Sequence, residues 1–292
     1  MRLLEAACDV ERYEAASAIP HDELLARVNG KHALLCLLTD RVDRAVIEAG
    51  SDLKVIANIA VGYNNIDVAA ARERGIAVTN TPDVLTESSA DFTWALILGI
   101  TRRLTEGERL VRRGEWKGWA LDFMLGTELR GKQLGIVGFG RIGRAVAARA
   151  GAFGMQAVHT GRSDGMPLDR LLATSDVVSL HVPLTRETTH LIDQAALARM
   201  KRSAYLVNTS RGPVVDEAAL AWALRERIIS GAALDVYEHE PRVHADLLKL
   251  ENVLLAPHLA SATVETRTAM ADLAVRNALA VLEGRPPLTP VP

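Results

Sequence analysis

Only two cysteines, Cys8 and Cys36, occur in the 292 residues, and neither stands at a metal-ligand spacing from a possible partner. That scarcity excludes a disulfide framework, offers no metal site, and fits two buried thiols in a reducing cytoplasm. Long apolar runs are missing too: WALILGI (94–100) is typical of the longest and is far too short to span a bilayer. No basic segment followed by an apolar stretch opens the chain, so no secretory signal is expected and the location expected is cytoplasmic. A net charge of -2 gives no general attraction for nucleic acid or an anionic membrane. Internal repeats and low-complexity segments are also absent.

A balance of 49% hydrophobic and 24% charged residues is that of an ordinary globular protein, and 292 residues can build two domains, each with a core. Apolar runs alternate with helical patterns, which predicts an α/β protein with parallel sheets. Strands are expected in HALLCLLT (32–39), LKVIANIA (53–60) and IAVTNTP (76–82), with helices VDRAVIEAG and DVAAARERG between them, each stopped by a glycine. A long helix about SSADFTWALILGITRRL and an irregular Arg-, Gly- and Trp-containing stretch follow. A second series of strands is expected at KQLGIVG (132–138), MQAVHT, DVVSLHV, AYLVNTS, GAALDVY and NVLLAPH, with helices between them. A final long helix, about VETRTAMADLAVRNALAVLEG, returns to the first unit, and RPPLTPVP reads as an extended terminus. The predicted organisation is a first domain of 1–94 with 273–292, interrupted by a nucleotide domain of 95–272.

VGFGRIG carries Gly138, Gly140 and Gly143 after the strand LGIVG and before the Ala-rich helix RAVAARA. In that context the first glycine permits a tight turn, the second lets the backbone approach a pyrophosphate, and the third lets helix and strand pack closely. Arg141 and Ile142 open the helix, whose N-terminus presents N–H groups and partial positive charge to phosphate. No Asp or Glu occurs between Gly138 and Ser163 to grip an adenosine ribose, whereas Arg162 can hold a 2′-phosphate through two hydrogen bonds. NADP(H) is therefore the preferred dinucleotide. Use of NAD(H) stays open if Asp164 bends back towards the strand end and Arg162 is only a solvated loop residue.

Ionisable residues stand just beyond three later strands: Arg211 after AYLVNTS, Glu240 after GAALDVYEH, and His258 closing NVLLAPH. Ligands of open parallel sheets bind outside the carboxyl ends of the strands, so these loops can share a crevice. Arginine suits a substrate carboxylate, and histidine, with a reference pKa near ~6.5, can donate and recover a proton near neutrality. A neighbouring carboxylate favours the imidazolium. Spacing alone does not choose between Glu238 and Glu240 for that part.

These residues resemble the D-isomer-specific 2-hydroxyacid dehydrogenases. NTSRGPVVDEAAL (208–220), GAALDVYEHEP (231–241) and NVLLAPHLASAT (252–263) resemble the three signature blocks of that family, in order. The likeness extends through AVGYNNIDVAAARERGIAVTNTPDVLTESSAD (60–91), GEWKGWALDFMLG (114–126) and LGIVGFGRIGRAVA (134–147), and is greatest to glyoxylate and hydroxypyruvate reductases. The resemblance implies a Rossmann domain inserted into a flavodoxin-like substrate domain, both doubly wound. It implies that Arg211 holds the substrate, that His258 is the acid/base, and that Glu240, just before Pro241, orients and charges His258. Val61 and Gly62 would bind the substrate carboxylate through backbone N–H groups. Thr86, Asp235, Ser210 and the turn at Pro183 would border the cofactor. A homodimer formed largely through the nucleotide domain and the stretch around Trp116 and Trp119 is implied as well.

Two departures stand out. The first strand usual in the family is missing, so either the chain start is not the natural one or another segment takes its place. The connection SDGMPLDRLLATSD (163–176) is short and lacks the extra strand usual in relatives, which leaves the adenosine end open. The activity expected is reduction of a small 2-oxoacid, glyoxylate or hydroxypyruvate, by NADPH. The other readings are a different D-2-hydroxyacid dehydrogenase or a dinucleotide-responsive interaction protein with impaired catalysis. The lack of a long regulatory extension after residue 292 counts against a regulated biosynthetic form.

Overall fold

The computed structural model describes residues 2–15 and 17–292, and the chain divides into two compact units. One joins Met1–Leu85 with Thr263–Pro292, and the other, Thr86–Ala262, interrupts it in chain order. The limits read from sequence, 94/95 and 272/273, fall within two helices that each remain whole in one unit. Each of these helices is packed along one sheet, so the division comes where the helix begins.

In the first unit α1 (Arg2–Ala7) and α2 (His21–Val28) precede β1 (Ala33–Cys36). Then come α3 (Arg44–Ala49), β2 (Val55–Asn58), α4 (Val68–Glu73) and β3 (Ala77–Thr79). The strands are parallel in the order β1-β2-β3, and among the described residues no strand precedes β1. Strands added in one direction through right-handed crossovers leave their connecting helices on one face. There Ile47 of α3 and Ala70 and Ala71 of α4 bury Ile56 of β2, with Leu24 and Val28 of α2 alongside. Asp43 and Asp67 start α3 and α4 by accepting from the N–H groups of Val46 and Ala70.

The second unit opens with α5 (Thr86–Thr101) and α6 (Leu104–Arg112). The sequence pattern runs as one helix to Leu104, but Arg103 adopts a left-handed φ of 53° and Thr127 N donates to Thr101 O at 2.7 Å. A polar group that takes the last carbonyl ends the helix there. Next come β4 (Gln133–Val137), α7 (Arg141–Arg149), β5 (Gln156–Thr160), α8 (Leu168–Thr174), β6 (Val177–Leu180) and α9 (Gln194–Arg199). β7 (Tyr205–Asn208), α10 (Glu217–Arg225), β8 (Gly231–Leu234) and β9 (Val253–Leu255) complete the unit. Its six-stranded parallel sheet has the order β5-β4-β6-β7-β8-β9, so the direction of winding reverses at β4. No strand lies between β5 and β6 among the described residues, and β5 forms one edge.

Alternating strand residues feed two cores. Leu134, Ile136, Val207 and Ala233 pack with Trp94 and Ile97 of α5 and Val146 of α7. Val137, Leu180 and Leu206 face Leu171, Leu197 and Leu220 of α8, α9 and α10. Trp94 stacks on Phe153 at 4.3 Å between ring centroids and donates its indole N–H to Val146 O at 3.0 Å, so this large ring leaves no polar group unmet.

The chain returns to the first unit with α11 (Val264–Leu282), capped by the Thr263 side chain. Ala274 and Ala278 of α11 meet Val55 and Ala57 on the face of β2 that α3 and α4 leave uncovered. Beyond α11 the proline-bearing segment is extended and paired: Thr79 bridges Pro290 in antiparallel sense, and Val291 N donates to Val78 O at 2.8 Å. No helix among the described residues is long and apolar enough to cross a membrane.

Candidate active site

At the reversal in the second sheet, β4 ends in the glycine fingerprint. Gly138 has φ 96°, and a Cβ there would run into the backbone carbonyl of His181 at the end of β6. A Cβ on Gly143 would strike Gly138 O, so α7 can lie this close to the strand only without one. Gly140 precedes α7 with no side-chain cap, and a Cβ on it would meet nothing within 4 Å. A nine-residue helix thus begins at Arg141 and Ile142 behind an open glycine, which fits the pyrophosphate of a dinucleotide.

Farther out, His159 of β5 stacks on Phe139 at 3.7 Å, and the Arg144 guanidinium lies over the same ring at 4.4 Å. Arg162 is exposed just past β5. Asp164 folds back across the turn, its Oδ2 lying 3.5 Å from His159 Nε2 and its backbone carbonyl accepting from Gly161 N at 2.9 Å. Arg162 and Asp164 therefore put opposite charges at one strand end. Pro183 lies in the loop after β6, where its carbonyl accepts from the Thr188 hydroxyl at 2.7 Å. Thr86 is the half-buried first residue of α5.

The ends of β7, β8 and β9 lie side by side, with Asn208 opposite Leu234 and Leu234 opposite Leu255. The ladder runs on past them: Asp235 N donates to Asn208 O (3.0 Å), Ala256 N to Leu234 O (2.8 Å), and His258 N to Asp235 O (2.9 Å). These bonds bring Glu240 and His258 together, with Glu240 Oε2 3.0 Å from His258 Nδ1. Glu240 Oε1 accepts from Tyr237 N at 3.1 Å. Burial pushes the Glu240 carboxyl up, but the bond and charge of His258, the Tyr237 N–H and the Arg211 charge outweigh it and hold it below the usual range. Glu238, which sequence spacing left as an alternative, turns away and pairs with His190. Arg211 is half-buried, with one guanidinium N–H 2.6 Å from Ser210 O. Burial lowers its pKa, and the Glu240 charge works in the opposite direction.

Other residues hold this group in place, and their parts were not readable in the sequence. Asn208, fully buried, accepts from both the N–H and the hydroxyl of Ser210 and donates to Arg211 O at 3.0 Å. Asp235, also fully buried, accepts from Leu259 N (2.7 Å) and Ala260 N (2.8 Å), which fixes the turn that carries His258 at φ 56°. Burial raises the Asp235 carboxyl pKa despite those two bonds. Glu217 of α10 accepts from Glu238 N (2.8 Å) and His244 N (3.2 Å), clasping the loop that bears Glu240. Gly212 lies so close to that loop that a Cβ would overlap the Tyr237 carbonyl group. Its sequence signal, a glycine directly after Arg211, is visible, but the neighbour it meets is not.

In the first unit Val61 and Gly62 follow β2. Thr81 N donates to Ala60 O at 2.9 Å, and Asn80 Nδ2 donates to Val61 O at 2.7 Å. Asn58 Nδ2 donates to Gly62 O at 2.8 Å. In a trans peptide the carbonyl and the next N–H point opposite ways, so clamping the first two carbonyls turns the Val61 and Gly62 N–H groups away from their clamps.

Comparison with known proteins gives a consistent neighbourhood. Residues 94–260 match the family model described as D-isomer specific 2-hydroxyacid dehydrogenase, NAD binding domain. A glyoxylate reductase of Thermofilum pendens is 48% identical over 98% of this chain and 89% of its own. A solved Thermus thermophilus protein is 47% identical, with a TM-score of 0.95 over 100% of this chain and 95% of its own. The NADPH-dependent glyoxylate/hydroxypyruvate reductase of Sinorhizobium meliloti, solved with NADP and malonate, is 36% identical. Its TM-score is 0.87, covering 99% of this chain and 92% of its own.

The contact of Gly212 with backbone sets a test of how the loops are joined. Gly212→Ala is expected to lower unfolding free energy by about 2–3 kcal/mol in urea melts, since backbone cannot yield as a side chain can. A change below about 0.5 kcal/mol would mean that the two loops part easily.

Proposed function

Because the chain belongs to the D-isomer specific 2-hydroxyacid dehydrogenases, and so is a nicotinamide-dinucleotide-dependent reductase of 2-oxoacids, we propose that it reduces glyoxylate and hydroxypyruvate with NADPH. The observation that carries this reading is the Glu240–His258 pair beside half-buried Arg211 at three adjacent strand ends. The dinucleotide, when bound, supplies a hydride to the carbonyl carbon. Glu240 takes the Nδ1 side of His258, which leaves Nε2 to deliver the proton to the carbonyl oxygen. Ionised Glu240 favours the imidazolium before transfer, and Arg211 draws the substrate carboxylate by a charge-assisted fork. The N–H groups of Val61 and Gly62, turned away from the clamped carbonyls, are proposed as further carboxylate donors. Gly138, Gly140, Arg141, Ile142 and Gly143 are assigned to the pyrophosphate, and Thr86, Pro183, Ser210 and Asp235 to the border of the cofactor.

For the dinucleotide, exposed Arg162 and the lack of any acid between Gly138 and Ser163 favour the 2′-phosphate of NADPH. The return of Asp164 to the same strand end favours continued use of NADH. A homodimer is proposed through the stretch where Trp116, Trp119, Leu121 and Leu125 are 56%, 81%, 81% and 66% exposed.

Steady-state kinetics with glyoxylate and hydroxypyruvate, each with NADH and NADPH, test the reading; no turnover of either acid would overturn it. His258→Gln is expected to lower kcat roughly a hundred- to ten-thousand-fold with dinucleotide affinity retained. Near-normal turnover would remove His258 from proton transfer. Glu240→Gln should lower kcat roughly ten- to a hundredfold with dinucleotide affinity retained, since His258 loses the carboxylate that holds its Nδ1; unchanged turnover would remove Glu240 from positioning His258. Arg162→Ala should weaken NADPH by roughly ten- to a hundredfold while sparing NADH, and equal losses on titration with both would return Arg162 to the solvent.

A further inference from the structure

Residues 285–292 do more than follow β3. Thr289 makes four hydrogen bonds, and each leads towards the loop of Val61 and Gly62 or anchors the segment to α11. Its hydroxyl donates to Asn80 O at 2.7 Å, and its carbonyl accepts from Asn80 N at 3.3 Å. From the other side Asn277, fully buried on α11, donates from Nδ2 to the Thr289 hydroxyl at 2.8 Å and accepts from Thr289 N at 3.0 Å. The Thr289 hydroxyl thus accepts from Asn277 and must turn its one proton to Asn80. The Asn80 backbone is held by Thr289, and its side chain holds Val61 O at 2.7 Å. Asn277 is itself locked to its helix by a bond from Nδ2 to Leu273 O at 3.0 Å.

We propose that Thr289 is a positioning residue for substrate binding: with Asn277 behind it, it fixes Asn80, which clamps Val61 O and so aims the Gly62 N–H at the substrate carboxylate. The inference rests on the proposed carboxylate role of the Val61–Gly62 loop. Every bond of the relay joins uncharged groups, so its strength does not vary across the neutral pH range. Its effect is on preorganisation. A donor already aimed costs the substrate no ordering of the loop when it binds, and a released one does. The hydride and proton steps are left to other groups, so the relay acts on substrate capture more than on turnover at saturation.

Thr289→Val keeps the shape and removes the hydroxyl; Thr289→Ser keeps the hydroxyl. Oxalate, a carboxylate analogue that cannot be reduced, serves as the probe and is titrated calorimetrically into the NADPH-loaded protein, alongside glyoxylate kinetics. In Thr289→Val the oxalate Kd and glyoxylate KM are expected to rise roughly five- to tenfold, with kcat within about twofold and NADPH affinity unchanged. Thr289→Ser should restore both, and amide hydrogen exchange should quicken at residues 60–63 in the valine variant alone. If Thr289→Val proves too unstable to purify, Asn80→Ser breaks the same clamp at its other end and should give the same KM-weighted loss. Unchanged oxalate and glyoxylate affinity in either variant overturns the relay. An unsubstituted protein that turns over glyoxylate but binds no oxalate overturns the carboxylate reading of the loop, and the relay with it.

Discussion

The parallel register of β7, β8 and β9 is the constraint on which the geometry of Arg211, Glu240 and His258 depends. Backbone hydrogen bonds between these strands do not stop where the strands do, and they continue through Asp235, Ala256 and His258. Neighbouring strands lie about 5 Å apart, so three loops leaving one sheet edge are side by side before any side chain makes a contact. Gly212 then presses the loop of Arg211 against the loop of Glu240, backbone to backbone. Proximity of the three ionisable groups is a property of the main chain, and the side chains refine it.

That refinement falls largely to carboxylates that never touch a substrate in the proposed mechanism. Asp235 and Glu217 each use both oxygens on backbone N–H groups, and each thereby fixes the loop of a different member of the proposed Glu240–His258 pair. Burying an acid is unfavourable unless such bonds are made, and the raised pKa values of both groups record the cost. Glu240 lies lower because the bond and charge of His258, the Tyr237 N–H and the Arg211 charge together outweigh its burial.

Much of the fold was legible in the sequence because hydrophobic periodicity and glycine stops are local signals. Each expected strand segment contains an observed strand, and the fingerprint glycines stand where turn and helix need them. Helix α2 is not legible in the sequence, since its amphipathic pattern is short and carries charge at both ends. The unit limits expected from sequence lie within α5 and α11 rather than at their starts, because composition does not reveal which sheet a connecting helix packs on. Within the site, the three ionisable residues could be named from strand ends, and the choice of Glu240 over Glu238 came only with family likeness. The parts of Asn208, Gly212 and Glu217 could not be read at all, because each acts on backbone distant in sequence. The same holds for Thr289, whose chain of bonds crosses 209 residues to reach Asn80.

The pairing of residues 289–291 with β3 also bears on how the first sheet avoids its own kind. A three-stranded sheet has two borders, and an open border is a template for pairing with other chains. One border is occupied by a segment with Pro290 bridged to Thr79, and proline has no N–H to offer a further strand. The other, β1, is only four residues long, and its last residue lies in the core. The same short segment thus covers a sheet border and bonds to Asn80, which clamps the loop of Val61 and Gly62, so its loss would expose a pairing surface and free that clamp together.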